Sequence, residues 1–295
     1  MRMGLCLLLS FLLVACQTAE GPLERYGSAI YSGQSVAEKL NARYADTRGN
    51  CGSLSKPAFL CSGVILRITT YSPDYDSWDP SPNSIELGGQ SFSYLRKDSK
   101  FSRLAWHLGN GYILYSIFGA PADKLDPDVL CLFPIDGYSD NRSGERCGIY
   151  SDNNASSRPC EDQDITTAEQ WLSLYSAQNQ SNSRLCSFNV RDDRNILAGP
   201  AFYSGLKARS MGAPSDKRFT QHNELVLKTW GSGLGKTLPI EAFFYTDAKG
   251  LESAIKDRRN FLGKTGIMLP LIKLNLPSTP AEDAAFEYVP GDDRL

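Results

Sequence analysis

The chain has 295 residues, with 31 basic against 33 acidic side chains, a formal net charge of −2 and 41% hydrophobic residues. That balance gives no electrostatic footprint for nucleic acid, and no basic run with interleaved aromatics occurs, so nucleic acid is excluded as an expected partner. The length suits one large domain or two small ones.

The first sixteen residues, MRMGLCLLLSFLLVAC, read as processing information. Arg2 gives a positive start, and the apolar run from Leu5 to Val14 is too short to span a bilayer as a helix. Its end, Leu13-Val14-Ala15-Cys16, resembles the bacterial lipoprotein cleavage box. That resemblance implies that Cys16 becomes the lipidated first residue and anchors the chain to a membrane. An ordinary secretory signal with a chance cysteine is the alternative. Either reading predicts export: an envelope lipoprotein, placed at the outer membrane, or a secreted protein if no lipid is attached. Residues 17–25 form a polar spacer, residues 26–276 a single domain, and residues 277–295 a flexible tail rich in Pro, Ala and acids.

Setting Cys6 and Cys16 aside leaves Cys51, Cys61, Cys131, Cys147, Cys160 and Cys186. An even count in an exported chain favours disulfides, whose connectivity sequence alone does not fix. Local closure suggests Cys51–Cys61, Cys131–Cys147 and Cys160–Cys186. No C-x-x-C occurs, and His107 and His222 lie far from the cysteines, so no metal site is predicted.

Ser35-Val-Ala-Glu38 reads as a capping box that opens a helix, VAEKLNARYA. In CSGVILRITT, alternation puts Val64, Leu66 and Ile68 on one face of a strand and Arg67 on the other. A proline-rich turn segment, YSPDYDSWDPSPNS, follows; SFSYLR and GYILYSIF are the next strands. The stretch from Cys131 to Cys160 is polar and loop-like. Thr166-Thr-Ala-Glu169 is a second capping box, before a helix whose Trp171, Leu172 and Tyr175 share a face. Around Phe219, the spacing of Phe219, Val226 and Trp230 favours a helix over a strand through ELVL. LPIEAFFYT is a strand, Leu251 to Leu262 follow helical spacing up to Gly263, and IMLPLIKLNL is a strand, edge or bulged because of Pro270. These three form one C-terminal β-α-β unit. The class is α+β: a mixed sheet with helices and disulfide-stapled loops.

Several chemistries are disfavoured by pattern. GSGLGKT, Gly231 to Thr237, lacks the first glycine of a phosphate loop, where Trp230 stands, and runs into a strand instead of a helix. No G-x-S-x-G or H-E-x-x-H occurs. A Ser-His-Asp triad stays open, with His107 or His222 as its base. DYDSWDP offers Asp74, Asp76 and Asp79 with Trp78 as a sugar-stacking ring, or simply an acidic surface loop.

Arg67 on a strand, Ser91-Phe-Ser93 opening the next, and Glu224 much later look similar to the arginine–serine–glutamate pattern of ADP-ribosyltransferase folds. The resemblance gives Arg67 the phosphates of NAD, Ser91 and Ser93 the ribose and nicotinamide side, and Glu224 the stabilisation of the oxocarbenium-like state. The family's second acid or glutamine, two residues before the glutamate, is His222 here. In addition CSGVILR, YDSWDPSPNS, GGQSFSYLRKDSKF, NELVLKTW and LPIEAFFY resemble the halovibrin-like group of secreted bacterial proteins. That group implies an NAD glycohydrolase or ADP-ribosyltransferase, with NAD as substrate, no cofactor, and water or a target protein as acceptor. Glu241, within an apolar strand, is the rival carboxylate. The competing function is a non-catalytic envelope lipoprotein that binds a protein or glycan through DYDSWDP.

Lipidation makes a direct prediction. Mass analysis of the mature N-terminus should find an acylated Cys16, and a chain that starts cleanly at any other residue would refute the anchor.

Overall fold

The computed structural model describes residues 32–49, 56–104, 109–135, 160–177, 186–190, 203–204, 217–230 and 237–293. Within them lie strands β1 (Val64–Ile68), β2 (Gln90–Leu95), β3 (Asn110–Leu114), β4 (Asp128–Phe133), β5 (Phe188–Asn189), β6 (Glu224–Lys228), β7 (Ile240–Tyr245), β8 (Leu271–Asn275) and β9 (Ala285–Tyr288). The longer helices are α1 (Gly33–Ala45), α2 (Pro82–Glu86), α3 (Ala168–Ala177) and α4 (Ala248–Thr265). The strands form one mixed sheet in the order β5-β4-β6-β2-β1-β3-β7-β8-β9. Neighbours are antiparallel except β7 and β8, which run parallel on either side of α4. The fold is α+β.

Alternation along the strands separates two cores. Val64, Leu66, Leu95, Ile113, Phe244 and Ile272 face α1 through its Val36, Ala37, Leu40 and Tyr44. Ile65, Phe92, Tyr112, Leu225 and Phe243 face the opposite way, toward Trp78, Ala254 and Phe261 of α4, and Trp171 and Tyr175 of α3. Each large side chain so buried contributes about 1.5–3 kcal/mol. The expected division of β1, with Val64, Leu66 and Ile68 together and Arg67 opposed, is the one observed.

Helix ends depart from the sequence reading by small, explicable steps. α1 starts at Gly33, because Ser32 is the cap that accepts from the Ser35 N–H at 3.2 Å; Glu38 instead accepts from Gln34 at 2.9 Å. Gly33 suits this start, since a Cβ there would lie 2.1 Å from the Tyr288 ring. Before α3 the reciprocal box is Thr167 with Gln170, one residue later than expected: Thr167 Oγ1 accepts from the Gln170 N–H and the Gln170 side chain accepts from the Thr166 and Thr167 N–H groups. α4 is capped by Asp247, runs past Gly263, and ends at Gly266 in the left-handed region at φ 70°.

Larger differences concern strands. The helix expected near Val226 is strand β6; among the described residues there, only Lys217–Thr220 forms a helical turn. β6 pairs on both sides, with β2 and β4, and a strand buried on both faces shows an unbroken apolar run that periodicity cannot separate from helix. Cys131 to Phe133, assigned to a loop, belong to β4. β8 begins just after Pro270 and is not an edge strand, because β9 pairs with its other side. The tail expected to be flexible from Pro277 contains β9 and is tied down. Asn41 of α1 hydrogen-bonds both backbone groups of Phe286, at 2.7 and 3.0 Å, and Asp293 pairs with the buried Arg258. Cys160 and Cys186 form a disulfide. Cys61 and Cys131 are also disulfide-bonded, while Cys16, Cys51 and Cys147 lie outside the described residues, as do His107 and Gly231–Lys236. Among the described residues no helix is long and apolar enough to cross a membrane.

The Arg258–Asp293 pair predicts the weight of the C-terminal segment. Asp293→Ala leaves a buried guanidinium without that partner and should lower stability in urea by about 3–5 kcal/mol. A change near zero would restore the flexible-tail reading.

Candidate functional site

Three consecutive strands, β6, β2 and β1, carry Glu224, Ser91 with Ser93, and Arg67. Register fixes which side each side chain takes. Ser93 pairs with Leu66, and Ser91, two residues earlier, pairs with Val226, so both serines share the α1 side of the sheet. Glu224 alternates with Val226 and pairs with Phe133, which clusters with Val226, so it stands on that same side. Glu224 is fully buried and Ser93 is 4% exposed. Arg67 pairs with Tyr112 on the opposite side, its guanidinium 5.9 Å from the centre of the Phe92 ring. The sheet therefore brings Ser91, Ser93 and Glu224 together and holds Arg67 away from them.

His222 joins the first group. Its Nδ1 lies 3.1 Å from Ser93 Oγ and 2.7 Å from the carbonyl oxygen of Asn223. A carbonyl only accepts, so the close contact puts the proton on Nδ1. Nδ1 then cannot serve as a base toward Ser93, so this contact is not the Ser-His pair of a hydrolase, and the other candidate base, His107, lies outside the described residues. Ser93 acts as an acceptor and keeps its own hydroxyl proton for donation. The Asn223 side chain takes both backbone groups of Tyr94, at 2.7 and 2.6 Å, and so clamps the start of β6 onto β2.

The rival carboxylate is engaged elsewhere. Glu241 pairs with Arg43 of α1 at 3.0 Å, beside a register shift between β3 and β7, and Arg43 also donates to the Leu114 carbonyl at 3.2 Å. On the α4 side, Asp257 accepts from Thr69 Oγ1 at 2.7 Å and from Asn110 Nδ2 at 3.0 Å. Burial raises the Asp257 pKa, and the Thr69 hydrogen bond opposes the rise. Sequence reading passed over this residue; the available signal was its place beside Ala254, Arg258 and Phe261 on the inward face of α4. Trp78 is 6% exposed and packs edge-on against Phe243 and Phe261, so it is a core residue and not a sugar-stacking surface. Asp76 binds Lys264 at 2.5 Å. The Asp79 pKa is raised by burial and by the neighbouring Asp76 charge. Among the described residues no group of three or more His, Cys, Asp or Glu is placed to hold a metal ion.

No protein-family model matches the chain, and no curated protein matches it.

Burial is the largest influence on both members of the Glu241–Arg43 pair, raising the carboxyl and lowering the guanidinium, while their attraction opposes it. A carboxyl raised by folding favours the folded state most below its ordinary value of 4.5, and that contribution is lost as pH rises through the raised value. Chemical denaturation between about pH 4 and about pH 7 should show wild type losing stability relative to Glu241→Gln as pH rises. The opposite trend would mean that attraction to Arg43 outweighs burial.

Proposed function

We propose that the chain is an exported enzyme that cleaves the nicotinamide–ribose bond of NAD. The carbon–nitrogen bond breaks with its electron pair going to nicotinamide, and water or a target side chain supplies the new bond to the ribose carbon. The observation that carries this reading is the placement of Glu224 beside Ser91 and Ser93 on one face of adjacent strands. The similarity to the arginine–serine–glutamate pattern rested on three separate segments of sequence, and those segments are neighbouring strands. Glu224 also lies on a strand, whereas a helix would have put it on the wrong kind of element.

In this reading Glu224 stabilises the positive charge that develops on the ribose as nicotinamide departs. Ser93, holding an accepted hydrogen bond from His222, donates its own proton to a neighbouring oxygen. Arg67 does not share that face. The reading therefore gives the ribose to Ser91, Ser93 and Glu224, and leaves contact between Arg67 and the phosphates as a separate claim. The binding-lipoprotein alternative loses its main ring with Trp78 in the core.

The test is nicotinamide release from NAD by the oxidised mature chain, with Glu224→Gln and Arg67→Ala alongside. Wild type should release nicotinamide, and Glu224→Gln should lose at least about a hundredfold of the rate while staying folded. Arg67→Ala should raise KM if the guanidinium reaches the phosphates and leave it unchanged if it does not. Release by both wild type and Glu224→Gln would discard that carboxylate. No release with water or with protein acceptors would discard the enzyme.

A further inference from the structure

The ladder between β2 and β6 runs on past the last strand residue of β6. Gln90, Ser91 and Phe92 pair with Leu227, Val226 and Leu225. Two rungs further along, the Asn223 side chain holds both backbone groups of Tyr94, at 2.7 and 2.6 Å. The rung enclosed by these contacts sets Ser93 directly opposite Glu224. Side chains paired in this way have Cβ atoms about 4.5–5.5 Å apart.

His222 reaches the same side of the sheet, and contacts from several directions fix its ring. Nδ1 lies 2.7 Å from the Asn223 carbonyl oxygen and 3.1 Å from Ser93 Oγ, and the ring meets Phe101 edge-on with 6.3 Å between centroids. It is 6% exposed. The carbonyl has no proton to give, so Nδ1 carries it and Ser93 Oγ shares it as an acceptor. A hydroxyl that accepts from one side has its own proton turned away from that donor. Among the described residues Ser93 makes no other side-chain hydrogen bond. The imidazole therefore decides where the Ser93 proton points without meeting what it points at.

We propose that His222 is a positioning residue for Ser93. Its Nδ1–H holds the hydroxyl as an oriented donor beside the Glu224 carboxylate. The rung then presents one donor and one acceptor to neighbouring hydroxyl oxygens of the ribose. Without Nδ1–H the hydroxyl rotates freely, and ordering it becomes a cost of reaching the transition state. The consequence for rate rests on the NAD reading; the hydrogen bond itself does not.

Nicotinamide release from NAD is measured for the oxidised mature chain, His222→Phe, His222→Asn, Ser93→Ala and the Ser93→Ala/His222→Phe double variant, each shown by melting to be folded. Phe keeps a ring against Phe101 and removes the donor, whereas Asn keeps an amide at the reach of Nδ1. His222→Phe should lower kcat about tenfold with KM nearly unchanged. His222→Asn should recover most of that loss, and the double variant should be no slower than Ser93→Ala alone. In parallel, nitrogen NMR of the His222 ring should find the proton on Nδ1 and a shift of that resonance in Ser93→Ala. A proton on Nε2, or an Nδ1 resonance indifferent to Ser93→Ala, overturns the proposal whatever the activity. Additive losses in the double variant, or no recovery with Asn, would make His222 a structural residue only. If wild type releases no nicotinamide, the positioning role falls with the NAD reading, and an intact Nδ1 signal traces that failure to the reaction rather than to the geometry.

Discussion

The sheet depends on the insertion of β6 between β2 and β4. Among the described residues β4 and β5 have no other strand neighbour that links them to the rest, so without that insertion the described ladder would end at β2. The pairing is non-local, because β6 lies more than a hundred residues after β2, and it must overcome the loop-closure entropy of everything between. Two features offset that entropy. Leu225, Val226 and Leu227 are buried on both faces of the sheet, and the Asn223 side chain ties the approach to β6 onto the backbone of Tyr94. The Cys160–Cys186 disulfide shortens the effective loop on the other side, linking the turn at Cys160 to the chain just before β5. The same insertion puts Glu224 beside the serines of β2, so the stability of the sheet and the composition of the proposed site share one cause.

The sequence was most legible in α4, whose helical stripe meets the core while its other side meets water. β1 and β7 are packed on both faces, and β-branched and aromatic runs between turn signals marked them as strands. β6 and β4 lack the contrast that α4 has. A strand packed on both faces spells ELVLK or DVLCLF, and neither spelling separates strand from buried helix. The tail failed for a different reason. Its Pro, Ala and acidic residues look like a solvated segment, yet Asp293 accepts from the nearby Tyr288 hydroxyl and pairs with the distant Arg258, which no local pattern reveals.

The candidate residues show the same division. Alternation in β1 placed Arg67 opposite Leu66, and pairing of Ser93 with Leu66 then separates Arg67 from the serines. The second half of that inference needs the register, which one sequence does not contain. The Ser93–His222 contact, the Glu241–Arg43 pair and the Thr69–Asn110–Asp257 cluster all join residues far apart in the chain, so they follow from topology alone. Trp78 shows the reverse error. A tryptophan among prolines and aspartates reads as exposed, but Phe243 and Phe261 draw it inward.

The joining of α1 to β9 has a temporal meaning. Gly33 lies against Tyr288 and Asn41 against Phe286, so the first described helix and the last described strand close on each other like a clasp. Until the chain has been made through Asp293, Arg258 has no access to that carboxylate and β8 lacks one neighbour. A chain emerging from a ribosome, N-terminus first, therefore stays unlatched until β9 and Asp293 have emerged.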